Sequence, residues 1–357
     1  MPRFPRRDLE TEGSARHTVL VTGASGFLGL HVIRQLLEAG HIVHGTLRDM
    51  AREKEVREAI DLDETYGACL QIFEAELERD NGWMEAASAC SHALHIASPF
   101  PRVQPKDAGP IIETARDGTL RVLQACRDAG VSRCVVTSSM NAVAGNTSFP
   151  AGYRFTSDDW TDLSDPKLSP YDRSKTIAER AAWQFSESHP ELELTTICPG
   201  AILGPLLSAD ASASADVVWG LMKRDVRAIP RIGFAPVDVR DVAWLHVRAM
   251  TQAEAAGQRY LACLDHVWLK EVASILSDHL GPDWQIPQRH LPEFIVKAGS
   301  LVSPTLKRVS HALGHERRVN IEPARSILGW QPRGLEPMVT AMANSLIDHG
   351  LVSPKRP

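Results

Sequence analysis

His17-Thr18-Val19-Leu20-Val21-Thr22 runs without a break into Gly23-Ala24-Ser25-Gly26-Phe27-Leu28-Gly29. Leu30, Ile33, Leu36 and Leu37 then recur at helical spacing up to Ala39-Gly40. An apolar strand, a glycine-rich turn and an amphipathic helix, in that order, build a pyrophosphate cradle. Gly23 permits the tight turn, Gly26 lets backbone approach a phosphate, and Gly29 allows the helix to pack closely on the strand. The helix N-terminus adds N–H groups and a partial positive charge for an anion. The spacing is Gly-x-x-Gly-x-x-Gly.

The next alternating run, His41 to Leu47, stops at Arg48-Asp49, and Arg48 lies nineteen positions after Gly29. An acidic side chain at this strand end accepts hydrogen bonds from the adenosine ribose, whereas an arginine accommodates a 2′-phosphate. Arg48 therefore points to NADP(H). Asp49 is either a ribose acceptor or, one residue round the strand, the N-cap of a helix over 50–60.

The chain has 357 residues, 43% apolar and 23% charged, with a formal charge of −5 and no long run of one sign. These values suit a globular protein and give no indication of a nucleic-acid or anionic-membrane partner. Cys69, Cys90, Cys126, Cys134, Cys198 and Cys263 are scattered, without a C-x-x-C pair, mostly in apolar stretches. That usage fits reduced thiols in a cytoplasmic setting. Residues 1–16 lack an apolar core and read as a disordered leader. Strand patterns at 18–22, 42–47, 69–73, 92–97, 133–138 and 193–198 alternate with helical ones near 27–39, 50–61, 107–129 and 170–188. The expectation is an α/β, Rossmann-type, doubly wound parallel sheet. It spans 17–199 and is completed by parts of 237–262, while 200–357 forms mostly a smaller C-terminal substrate lobe.

Tyr171 and Lys175 are four residues apart in a helical pattern, hence on one face and one turn apart. A phenol titrates near 10, and a neighbouring cation favours its ionised form, which makes Tyr171 a candidate general acid for a carbonyl becoming an alkoxide. Thr137-Ser138-Ser139 closes the fifth strand, where ligands of open α/β sheets bind. Strand alternation sends only one of the two serines to the site. Ser139 is the candidate to polarise the carbonyl, and Ser138 to satisfy local backbone. His92 and His95, three apart on a strand, face opposite sides and do not form a metal site, so no metal is expected.

Together GASGFLG at 23–29, TLRD at 46–49, HIASP at 95–99, VTSS at 136–139, YDRSK at 171–175, CPGAILGP at 198–205 and VDVRDVAWLHV at 237–247 resemble the extended short-chain dehydrogenase/reductase superfamily. Within it the chain is similar to the dihydroflavonol reductase, cinnamoyl-CoA reductase and yeast-type aldehyde/ketone reductase branch. The resemblance implies a catalytic Ser139, Tyr171 and Lys175, with Lys175 on the nicotinamide ribose. It places Phe27 and Leu28 at the pyrophosphate, Arg48 at the 2′-phosphate with Lys54 assisting, and Ala97 and Ser98 beside the cofactor. Pro199 and Ile202 would flank the nicotinamide. Ala75-Glu76-Leu77 stands where relatives read Ala-Asp-Leu, with Glu76 in reach of the adenine amino group.

The implied activity is NADPH-dependent reduction of an aldehyde or ketone. Alternatives are a hydroxysteroid-type or other alcohol dehydrogenase, a nucleotide-sugar epimerase, and a non-catalytic NADP-binding sensor. A dehydratase would want an Asp-Glu pair after the serine, where Met140-Asn141 stands. Residues 205–236 read as a small-residue hinge followed by an apolar flap, with Trp219 and Phe234 as candidate substrate contacts. That flap favours a small apolar or aromatic carbonyl substrate. A monomer or homodimer is expected.

Overall fold

Seven parallel strands form the central sheet of the computed structural model, which describes residues 15–60, 64–99, 107–146, 148–150, 152–210, 215–225, 227–300, 306, 309–310 and 312–354. They are β1 (Thr18–Thr22), β2 (Ile42–Leu47), β3 (Leu70–Glu74), β4 (His92–His95), β5 (Arg133–Thr137), β6 (Glu193–Pro199) and β7 (Arg259–Ala262). Their order across the sheet is β3-β2-β1-β4-β5-β6-β7. The chain reverses direction of travel between β1 and β4, and ligands of such sheets bind at that switch, above the carboxyl ends. The expected disordered leader falls almost wholly outside the described residues.

Both faces of the sheet are covered, which explains the near-continuous apolar strands. Val19 and Val21 face one core with the Phe27–Glu38 and Val239–Thr251 helices. Leu20 faces the other with Trp83, Leu123 and Ala182, beneath the Gly109–Asp128 and Pro170–Ser188 helices. β4 ends at His95, two residues before the expected end, because Thr22 Oγ1 accepts the N–H groups of both Ile96 and Ala97 at 2.9 Å. A third core joins the helices Asp216–Lys223, Leu269–Leu280 and Leu335–Asp348 around Val218, Leu221, Leu276 and Met342. Among the described residues no helix is long and apolar enough to cross a membrane.

Three of the buried imidazoles, those of His31, His95 and His246, each contact an oxygen of this framework. His31 contacts Pro205 O at 2.9 Å, His95 contacts Thr22 Oγ1 at 2.9 Å, and His246 contacts Thr137 Oγ1 at 2.7 Å. Burial pulls His31 and His246 down to about 4 and His95 to about 3. Below the unfolded value of about 6.5 the unfolded chain takes up protons that the folded one refuses, so stability falls with pH. At pH 5 each ring should cost about 2 kcal/mol. Urea midpoints at pH 7 and pH 5 measure this. Equal midpoints would mean that the rings titrate normally.

Candidate active site

The Phe27–Glu38 helix begins at Gly26, which caps it without a side chain. Its first-turn N–H groups therefore stand at the crevice, where an anion can take them. Gly23 adopts φ +73°, and a Cβ on Gly29 would lie 2.2 Å from Gly23 O. Only glycine fits both places, so the turn can close tightly around a phosphate. Ser25 and Phe27 are half-exposed at this mouth, whereas the Leu28 side chain is buried and leaves only its backbone for a ligand.

Arg48 is exposed at the end of β2 and, among the described residues, holds no hydrogen bond or ion pair. Asp49 resolves to the cap: its carboxylate accepts from Ala51 N at 2.9 Å. Lys54, expected to assist Arg48, points to solvent and pairs loosely with Glu58 at 3.6 Å. Glu58 lies one turn further along the Glu53–Ile60 helix, so the two charges meet on its exposed surface. Arg52 instead bridges Glu55 and Asp210. Glu76 pairs with Arg79 at 3.3 Å, and Leu77 packs against Gly118.

The catalytic candidates meet at the carboxyl ends of β5 and β6. Ser169 and Asp172 form a reciprocal capping box that starts the Pro170–Ser188 helix, with Pro170 in its first turn. This cap holds Tyr171 in the first turn and Lys175 one turn on. Tyr171 and Ser139 share a hydrogen bond. Lys175 is buried and donates to Thr137 O at 3.3 Å. Ala97, Ser98 and Lys175 line one narrow pocket with Thr137 and Ser138, so the segment after β4 reaches the lysine. Pro199 is buried at the end of β6 and its carbonyl accepts from Met140 N at 2.9 Å, while Ile202 is half-buried just beyond. A separate pocket of about 300 Å³ near Arg154, Asp265, Glu322 and Arg325 contains none of these groups.

The electrostatics differ in part from the sequence reading. Burial raises the Tyr171 phenol, and the Ser139 hydrogen bond, rather than Lys175, is what opposes it. Burial lowers Lys175 to about 8, countered by the carboxylate of Glu179. Ser138 does not satisfy backbone through its hydroxyl; it donates to Glu179 Oε2 at 2.6 Å.

Four contributors were not singled out in the sequence. Asn141 accepts from Ser139 Oγ at 3.2 Å, returns its N–H to the same oxygen at 3.1 Å, and donates to Asp172. Glu179 lies one further turn beyond Lys175. It accepts from Arg259 Nε at 2.7 Å and Nη2 at 3.0 Å, and from Thr196 Oγ1 at 2.9 Å. Arg259 also stacks 3.8 Å from the Trp160 ring centre. The i+4 spacing of Tyr171, Lys175 and Glu179 was a usable signal for the stripe, but Arg259 comes from β7, eighty residues away.

The expected flap is different in kind. Residues 211–214 lie outside the described set. Val218, Leu221 and Met222 belong to the third core, and Trp219 Nε1 donates to Leu351 O at 3.3 Å with Lys223 over its ring. Trp219 is thus held to the chain's C-terminal segment. The helix of which it is part buries its apolar face inward, as amphipathic helices do. Phe234 pairs in register with Val267 and also packs on that core.

A doubly wound sheet with a glycine cradle and a Ser-Tyr-Lys cluster at its carboxyl edge defines a nucleotide-dependent short-chain oxidoreductase. The model of the NAD dependent epimerase/dehydratase family matches residues 19–263. Tetraketide alpha-pyrone reductase 1 of Arabidopsis thaliana is 33% identical over 281 residues, 77% of this chain and 84% of that protein. Cinnamoyl-CoA reductase CAD2 of Medicago truncatula is 33% identical over 76% of this chain and 83% of its own length. The crystal structure of Gre2 from Candida albicans in complex with NADPH superposes with a TM-score of 0.77 at 26% identity, covering 93% of this chain and 99% of that one. The chain belongs to the NAD dependent epimerase/dehydratase family, on its reductase side, and is an oxidoreductase.

Proposed function

We propose that the protein is an NADPH-dependent reductase of an aldehyde or ketone, with Tyr171 as proton donor. The observation that carries this reading is the Tyr171–Ser139 hydrogen bond beside buried Lys175, next to a cradle that only glycine can form. Gly23, Ser25, Gly26 and the backbone of Phe27, Leu28 and Gly29 would hold the pyrophosphate. Arg48 would take the 2′-phosphate, and Lys175 the nicotinamide ribose, with Ala97, Ser98, Pro199 and Ile202 around the ring. NADPH supplies the hydride when bound.

Ser139 and Tyr171 then hold the substrate oxygen between two hydroxyls, which fixes the carbonyl for attack. Tyr171 gives its proton to that oxygen as it becomes an alkoxide. The phenolate left behind is compensated by Lys175, whose charge Glu179 sustains, and solvent returns the proton. Asn141 orients the serine from behind. Where a dehydratase would place an acidic pair, Met140 is buried and Asn141 serves this link, which favours simple reduction. Loss of NADPH absorbance with a panel of aldehydes and ketones tests the reading. No consumption with any of them, by protein that binds NADPH, would overturn it.

Cofactor choice rests on Arg48. Arg48→Glu should lower kcat/KM for NADPH by about ten- to a hundredfold, because a phosphate partner is replaced by a like charge at a screened surface. NADH should be little affected. Steady-state kinetics with both cofactors check this, and a wild-type preference for NADH would reverse the assignment.

A further inference from the structure

The cradle lies over β1 and β4, and the catalytic hydroxyls stand at the end of β5. A substrate reaching those hydroxyls from the side opposite the cofactor therefore lies over the ends of β6 and β7. Arg317 stands on that side. Its Nε donates to Ala144 O at 3.0 Å, at the end of the short helix that begins with Asn141. Its guanidinium carbon is 5.9 Å from the centre of the Phe149 ring. Its backbone N–H reaches His266 Nδ1 at 3.5 Å, just beyond β7, and His266 packs edge-on against Trp268. A Cβ on Gly233 would fall 2.2 Å from His266 Nε2, so this glycine admits the ring that braces Arg317.

Among the described residues the charge of Arg317 has no ion-pair partner. Burial lowers it from its ordinary value, and Asp172 is the acidic group that opposes this. Yet Asp172 is already occupied by Asn141 and the helix cap. Glu316, next in sequence, pairs with Arg318 at 3.1 Å. Among the described residues, the two terminal amino groups of Arg317 hold no hydrogen bond. A half-buried guanidinium with its fork unused, beside a phenyl ring and two links from Ser139, is arranged for a ligand oxyanion.

We propose that Arg317 is a specificity residue that binds a carboxylate on the carbonyl substrate, so that the natural substrate is an acidic aldehyde or ketone. The proposal rests on Tyr171 marking the reacting carbonyl. An arginine fork meets both oxygens of a carboxylate, and Phe149 offers apolar surface to the body that joins the two groups. The expected apolar or aromatic substrate thus gains an acidic end.

The test compares 4-carboxybenzaldehyde with 4-methylbenzaldehyde, and measures calorimetric binding of terephthalate, a dicarboxylate that cannot react, to the NADP⁺-loaded protein. In the wild type the acid should be preferred in kcat/KM. Arg317→Met should lower that preference about tenfold or more, mainly through KM, and weaken terephthalate to match. Arg317→Lys, which keeps the charge without the fork, should fall between, and it serves if the Met variant does not fold. An unchanged ratio in a folded variant overturns the proposal. So does terephthalate binding that is absent in the wild type or equal in the variants. Should neither aldehyde be reduced, the panel of aldehydes and ketones decides the proposed reduction, while terephthalate still decides Arg317.

Discussion

Tyr171→Phe should cut turnover by about 10²–10⁴-fold and leave NADPH affinity close to wild type, since the change deletes one transferable proton and little else. The ring keeps its place in the first turn of a helix fixed by Ser169 and Asp172, neither of which contacts the phenol oxygen in forming the cap. Ser139 would still be held by Asn141, so the loss belongs to proton transfer rather than to collapse of the site. Single-turnover rates and NADPH fluorescence titration separate the two quantities. A Phe variant that keeps more than a tenth of the wild-type rate would remove Tyr171 from the role of acid.

The largest effect on stability should come from Glu179→Ala, about 3–5 kcal/mol. Its carboxylate is 1% exposed and its partner Arg259 only 7%. Removing the acid strands a guanidinium in the interior and leaves Ser138 and Thr196 without their acceptor, and an orphaned buried charge is far costlier than an absent pair. Glu179→Leu combined with Arg259→Met should therefore recover part of what Glu179→Ala loses. Urea unfolding of the three variants decides the matter. A Glu179→Ala variant within 1 kcal/mol of wild type would show that the pair does not anchor the helix to β7.

Local signals carried most of the fold. The strand–turn–helix at 18–38 and the apolar strands were legible because each depends on residues close in sequence. Ser139, Tyr171 and Lys175 were legible for a second reason: strand ends and helical spacing place side chains by simple periodicity. What sequence did not show were pairings across distance. Nothing local marks Arg259 as the partner of Glu179, or Arg317 as a neighbour of Ala144, because topology alone joins them. Trp219 and Lys54 illustrate the converse. Residue type suggested a role, whereas the helix face sets the contact each one makes, Trp219 with Leu351 and Lys54 with Glu58.

The partnership of Glu179 with Arg259 has a consequence for the order in which the molecule can be made. The helix that bears Tyr171 and Lys175 is complete long before the ribosome reaches β7, and until then the Glu179 carboxylate lacks its Arg259 partner and the sheet has an open edge at β6. A nascent chain ending near residue 200 therefore holds Ser139, Tyr171 and Lys175, the proposed catalytic side chains, but not the Arg259 that supports them. Contacts this far apart in sequence close late in folding. Completion of the support beneath these side chains is thus deferred to the last strand of the sheet.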